Sequence, residues 1–240
     1  VYADETGWKV AARLHWLWAF VTRDATAYVI RDSRGADVLA EILGADFNGF
    51  LGHDGWISYE SLQKALHGTC NTHLLKRCRN LLEVARAGAA RFPLAVKAIL
   101  QAGLATRDRR DAGEISAHGA AIAAGRLASR LALVINGRIT HPDNRRFAKH
   151  LRNRFDQIFT YLHVPGLEAA NWMGEQAMRP AVVNRKVWGG SRTDDGAEAQ
   201  SCLTSVLRTC AQRGLDGLEF IERTLRAPPG RPPRLVLVPA

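Results

Sequence analysis

Two apolar runs, "LHWLWAFVT" (Leu14 to Thr22) and "ATAYVI" (Ala25 to Ile30), are separated only by Arg23-Asp24. Both are rich in aromatic and β-branched residues, and a two-residue link leaves room for little but a tight hairpin. Ahead of them stands "VYADETGWKV", an apolar start that runs into Asp4-Glu5 and reads as a first strand ending on a carboxylate pair. Behind them, "SRGADVLAEILG" has a polar start at Ser33, apolar residues at Val38, Leu39, Ile42 and Leu43, and Gly44 as a stop, the pattern of a short amphipathic helix. "GFLGHDG" (Gly49 to Gly55) is then a short strand that ends on Asp54. The order is strand, strand, strand, helix, strand, with an acid at the end of the first and last strands.

Beyond Gly55 the period changes to that of helices. "ISYESLQKAL", "THLLKRCRNLLEVA", "FPLAVKAILQAGLA" and "AAIAAGRLASRLALVI" repeat apolar residues at helical spacing. "DNRRFAKHLRNRFDQIFTYL" (Asp143 to Leu162) does the same, with Arg145, Arg146, Lys149, Arg152 and Arg154 on its polar side; taken alone, that stripe reads as a solvated face. "LEAANWMGEQAMRP" predicts a helix stopped by Pro180, "VVNRKVW" an extended segment, and "AEAQSCLTSVLRTCAQRG" a helix ended by Gly214. A last helix, "DGLEFIERTLRA", leads into a proline-rich tail without a fold of its own.

The 240 residues suit one sizeable domain or a domain with an insert. No uninterrupted apolar run approaches the ~18 residues that span a bilayer, and the strand-like, acidic start is not a signal peptide. The start at Val1, inside a strand pattern, reads as a piece of a longer protein. A net charge of +10 favours a polyanionic partner such as DNA or RNA, although a GC-rich genome accounts for the arginines equally well. Cys70, Cys78, Cys202 and Cys210 form no CxxC pair, which fits free thiols in a reducing, cytoplasmic setting.

Asp4 and Asp54 at strand ends and a glutamate on the helix around Glu175 are what phosphodiester chemistry by two divalent ions needs. Carboxylates hold two metals ~3.5–4 Å apart, one activating the attacking oxygen and one stabilising the leaving oxygen. Mg2+ prefers oxygen ligands and keeps several waters, so few carboxylates suffice. Glu5 is the rival of Asp4, but successive strand side chains point to opposite faces. Glu168, seven residues before Glu175, is the rival on the same predicted helix face.

"ADETGW", "HDGWISYE", "CNTHLLKRC", "NWMGEQAMRPAVVNRKVW" and "LTSVLRTCAQRGLD" occur in the order seen in DDE transposases of the IS66 type, and the chain resembles that family from Ala3 to about Ala227. The resemblance implies an α/β fold, a ribonuclease H-like mixed sheet with flanking helices and an α-helical insertion before the last catalytic acid. The core would occupy residues 1–72 and 166–227, the insertion 73–165 and the tail 228–240. It implies that Asp4, Asp54 and Glu175 are the catalytic, metal-binding acids for two Mg2+ (or Mn2+) ions. Arg179, four residues after Glu175, matches the family and is placed to pair with the glutamate or a phosphate. The family usually has two consecutive asparagines before the glutamate, whereas here Asn171 is followed by Trp172.

Cys70 and His73 form a step that a zinc reading would claim, but no second pair completes it, so with Asn171 they are read as packing or support for the site. Lys76, Arg77 and Arg79 make one cluster facing phosphates, and Arg185 and Lys186 of "NRKVW" another; with Arg145, Arg146, Arg152 and Arg179 they form the expected DNA-binding set. Trp188 could stack on a base, though a core tryptophan is the stronger expectation. The expected activity is DNA strand cleavage and strand transfer of an insertion sequence, by a homo-oligomer in the bacterial cytoplasm, with DNA as partner and no membrane. A ribonuclease H-like nuclease or resolvase, or an inactive DNA-binding remnant, are the alternatives.

Overall fold

In the computed structural model residues 1–228 are described, and they form two compact units. The first comprises Val1–Asp46 and the chain from Trp172 onward; the second is Phe47–Asn171. The fold is mixed α/β, with five strands among the described residues.

In the first unit β1 (Tyr2–Val10), β2 (Arg13–Val21) and β3 (Thr26–Arg31) form an antiparallel meander. The Arg23-Asp24 pair lies at the tip of the link that joins β2 to β3, which is residues 22–25 and two residues longer than the sequence reading. The first strand, however, does not end at Asp4-Glu5. It runs on to Val10 because Trp8 and Val10 are buried, and it turns through Ala11 and Ala12, both left-handed at φ 47° and 65°. Left-handed alanines cost roughly 1–2 kcal/mol each. The turn is held from outside: Ala11 N–H donates to the Ser191 carbonyl at 3.0 Å, and Ser191 N–H donates to the Lys9 carbonyl at 2.8 Å. Gly190 makes this approach possible, since a Cβ there would stand 2.2 Å from the Lys9 carbonyl oxygen.

Helix α1 (Ala36–Leu43) ends at Gly44 with φ 86°, as expected. Helices α7 (Trp172–Trp188), α8 (Asp194–Gln212) and α9 (Gly217–Arg226) follow among the described residues of the unit. The α7 helix packs on β1 and β2 through Ala177, Met178 and Ala181. It passes straight through Pro180 and includes the segment expected to be extended. Pro180 lies on the exposed face, so the carbonyl of Gln176, which loses its partner, meets solvent. The α8 helix covers β3, whose outward backbone groups would otherwise be bare at the sheet edge. Its hydroxyls replace a neighbouring strand: Tyr28 N–H donates to Ser205 Oγ at 2.8 Å and Thr26 N–H to Thr209 Oγ1 at 3.1 Å.

In the second unit β4 (Phe50–His53) pairs in parallel with β5 (Leu66–Thr69). The stretch read as a helix from Ile57 is a 3₁₀ turn (Ile57–Ser61) that feeds β5. Helices α2 (Asn71–Val84), α3 (Arg91–Asp111), α4 (Ala117–Asn136), α5 (Pro142–Asn153) and α6 (Thr160–His163) follow. Their core joins Val96, Leu100, Leu131, Phe147 and Leu151. The Asp143–Leu162 helix of the sequence reading breaks at Arg154, whose φ is −123°. By length and composition α4 could cross a membrane, but Ala120, Ala124, Leu127, Leu131 and Ile135 make it a face packed in this unit. Residues 229–240, most of the expected tail, lie outside the described residues.

Candidate active site

Asp4 and Glu5 sit third and fourth in β1, opposite Ala19 and Trp18 of β2. Alternation sends them to opposite faces. The Glu5 side chain is 1% exposed and binds Arg34 at 2.8 Å, and the Arg34 guanidinium lies 4.5 Å over Trp16. Glu5 is therefore part of a buried ion pair, leaving Asp4, half-buried, as the acid of the other face. Glu175 is half-buried in the first turn of α7, the helix that packs on β1. Its carboxylate there also matches the positive end of the helix dipole. Asp4 and Glu175 thus occupy two elements in contact within one unit.

Asp54 directly follows β4 in the second unit and is half-buried. Its Oδ1 accepts the Trp56 N–H at 2.8 Å, closing an Asx turn around Gly55, which is left-handed at φ 93°. The turn is clamped by Arg154, 8% exposed, which donates through Nη2 to the Gly55 carbonyl and lies with Nε 3.7 Å from Glu60. Gln157 Nε2 donates to both Glu60 oxygens at 3.0 Å.

On the strand side His53 is fully buried. Its Nδ1 accepts the Gly55 N–H at 3.0 Å, so its Nε2–H donates to His67 Nδ1 at 3.1 Å, and His67 Nε2–H then donates to the Leu62 carbonyl at 3.0 Å. Burial, with His67 and Arg154 nearby, holds the His53 pKa down at about 3, which keeps His53 neutral.

Cys70 is buried at the N-cap of α2, and Asn171, also buried, donates its N–H to Cys70 Sγ at 3.2 Å. Burial works to raise the Cys70 pKa, but hydrogen bonds from His73 and from the Asn171 amide carry it below the ordinary thiol value. Cys70, His73 and Asn171 are thus brought together in the second unit. Glu168, the rival to Glu175, lies before α7 and not on it, and pairs with Arg107 at 4.0 Å.

The basic residues divide. Lys76, Arg145, Arg179 and Lys186 are exposed. Arg146 pairs with Asp143 at 3.2 Å, and Arg152 donates to the Ile135 carbonyl, tying α5 to α4. Arg77 is half-buried 4.9 Å over the Phe147 ring, not turned outward with its neighbours. Arg185 donates to Thr6 Oγ1 at 3.1 Å and to the Gly7 carbonyl, pinning α7 to β1. Trp188 is 57% exposed, which overturns its expected place in the core.

Sequence reasoning missed His53, His67, Glu60 and Arg154. His53 stands beside Asp54 in "GHDG", which is the available signal; Arg154 reads as one more member of the solvated stripe.

The model of the family described as "Transposase IS66 family" matches residues 1–199. The chain is also 25% identical over 256 residues to "Uncharacterized protein y4qI" of Sinorhizobium fredii (strain NBRC 101917 / NGR234). That alignment covers 94% of this chain and 47% of the relative, so the chain spans about half of the relative's length. No solved structure matches the chain.

Proposed function

The chain belongs to the IS66 transposase family, and from that premise we propose that it is the catalytic part of a transposase, cutting DNA strands and joining them to a target. Asp4, Asp54 and Glu175 are the residues that would hold two Mg2+ or Mn2+ ions. The donor set fits hard cations: three half-buried carboxylates, all oxygen donors, with the competing Glu5 already tied to Arg34. Bound there, the ions would supply an activated nucleophile and a stabilised leaving oxygen.

The chain's own residues supply position and charge. The β1 ladder fixes Asp4, the α7 packing fixes Glu175, and Arg154 with His53 fixes the Asp54 turn. Exposed Lys76, Arg145, Arg179 and Lys186 offer cations to DNA phosphates. A ribonuclease H-like arrangement with residues 73–165 as the insertion, assembly of several copies on DNA and a cytoplasmic location are parts of the same reading.

The observation that carries the proposal is the pair of acids, Asp4 and Glu175, half-buried on elements that pack together, in a chain of this family. Glu175→Gln keeps the side-chain volume and removes the charge. With Mg2+ and oligonucleotide DNA, cleavage and strand joining should both fall to near background, because both steps use the same ions. Binding to DNA should persist or tighten. Glu168→Gln should leave activity within a few-fold. Full activity in Glu175→Gln would sink the assignment, and cleavage without joining in the unsubstituted protein would mark a nuclease.

A further inference from the structure

A cavity of about 730 Å³ lies in the second unit, lined by the approach to α3, the α3 start, the α4 end and the α5 start. Its lining includes Arg86, Arg91 and Arg138, with Phe92, Val134 and Ile139 as an apolar floor, and no carboxylate. All three arginines are exposed, and among the described residues none of them makes an ion pair. Arg107, Arg109, Arg110, Arg146 and Arg154 of this unit have carboxylate partners, whereas these three share one cavity lining that holds none.

The same cavity is lined by His141, the N-cap residue of α5, and by Pro142, its first residue, and no side chain caps that helix end. The one acid of its first turn, Asp143, is outside the lining; it pairs with Arg146 at 3.2 Å and stands 4.0 Å from the ring of His141. Three guanidinium groups and a helix N-terminus therefore line one concavity whose lining holds no carboxylate. Low-dielectric walls around like charges focus the field and concentrate anions.

We propose that this cavity binds the phosphodiester backbone of a DNA strand, the arginines taking successive phosphates and the apolar floor the sugar faces between them. The inference rests on the transposase reading for its ligand. It moves the main phosphate contact of the helical unit away from the α5 stripe, where Arg146 and Arg152 are already engaged. The site is independent of the acids and reads backbone rather than sequence.

The test is binding of the chain to a duplex of about 30 base pairs, followed by fluorescence anisotropy from low to moderate salt without divalent metal. The combined Arg86→Gln, Arg91→Gln, Arg138→Gln variant should flatten the slope of log affinity against log salt by about 2 to 3, at ~0.9 for each phosphate no longer neutralised. A matched variant, Arg109→Gln, Arg126→Gln, Arg130→Gln, removes equal charge outside the cavity and should change the slope far less. Because all six arginines are on the surface, thermal melts should stay near that of the parent. If the triple variant folds poorly, Arg138→Gln alone should still lower the slope by about 0.9.

Equal flattening by both triples would reduce the cavity to part of a diffuse field and overturn the proposal, as would an unchanged slope. ATP or inorganic phosphate bound through the three arginines, with the DNA slope unchanged, would mark a free-phosphate pocket and overturn it too. A chain that binds DNA through the cavity yet never cuts it with Mg2+ would remove the catalytic reading and leave this one standing.

Discussion

β1 and β4 each present an acid, but they hold it by different means. Asp4 lies inside a nine-residue strand, and the ladder to β2 sets its position residue by residue. Asp54 lies just past a four-residue strand, in a turn whose shape depends on side chains. His53 reaches a partner 14 residues away, and Arg154 reaches back across 99. A ladder position is secured by many backbone hydrogen bonds, and no single side chain can release it. A turn held by a relay and one guanidinium can be released by one substitution.

The largest expected effect is Arg154→Met. It leaves the Gly55 carbonyl without its buried donor and removes the cation beside Glu60, at a cost of about 2–4 kcal/mol in urea denaturation. Cleavage by the molecules that remain folded should fall as well, because the Asp54 turn loosens. Its counterpart is Arg34→Met, which takes the guanidinium away from the buried Glu5 carboxylate and should cost about 3 kcal/mol. There, cleavage per folded molecule should survive, since the ladder still fixes Asp4. Loss of cleavage in both variants alike would break the contrast between ladder and turn. A smaller effect is expected for Gly55→Ala, at about 1–3 kcal/mol. Its φ of 93° disfavours a side chain, and the new Cβ would meet Arg154 Nε at 2.9 Å.

The same difference sets what could be read from the sequence. The β2–β3 hairpin, α1 and β4 were legible because each carries a local signal: an aromatic run, a helical period, a glycine stop. The end of β1 was not, because Ala11-Ala12 is no turn signal; the loop at Ser191, far along the chain, makes the turn possible. Pro180 looked like a stop because only tertiary packing decides that its exposed side tolerates a missing hydrogen bond. The break at Arg154 follows from a contact with Gly55 that no local pattern encodes. The acids could be proposed from strand ends and motif order, whereas of the groups that hold the Asp54 turn only His53 is its sequence neighbour; its partner His67 comes from β5 and Arg154 from just past α5.

The smallest predicted effect sharpens the contrast through pH. His53 is fully buried, stacked 4.6 Å from Tyr59, with His67 and Arg154 around it, and its pKa sits at about 3 against an ordinary value of 6.5. Above pH 6.5 neither the folded nor the unfolded chain protonates this group, and its neutral state costs nothing. Below pH 6.5 the unfolded chain binds a proton that the folded one refuses until about pH 3, so stability falls as pH falls. The slope of one proton is ~1.4 kcal/mol per pH unit, or about 1 kcal/mol by pH 5.5. His150, held at about 4 by burial and by Arg154 and Arg77, adds a smaller share because it is partly exposed.

Both histidines belong to the second unit. Amide exchange at about pH 5.5 should therefore loosen β4 and β5 relative to about pH 7, while β1 and β2 keep their protection. In His53→Gln the pH dependence of the urea midpoint should shrink even though the variant is weaker overall. If the parent's acid sensitivity persists unchanged in that variant, or appears first in the β1–β2 ladder, the relay does not hold the Asp54 turn.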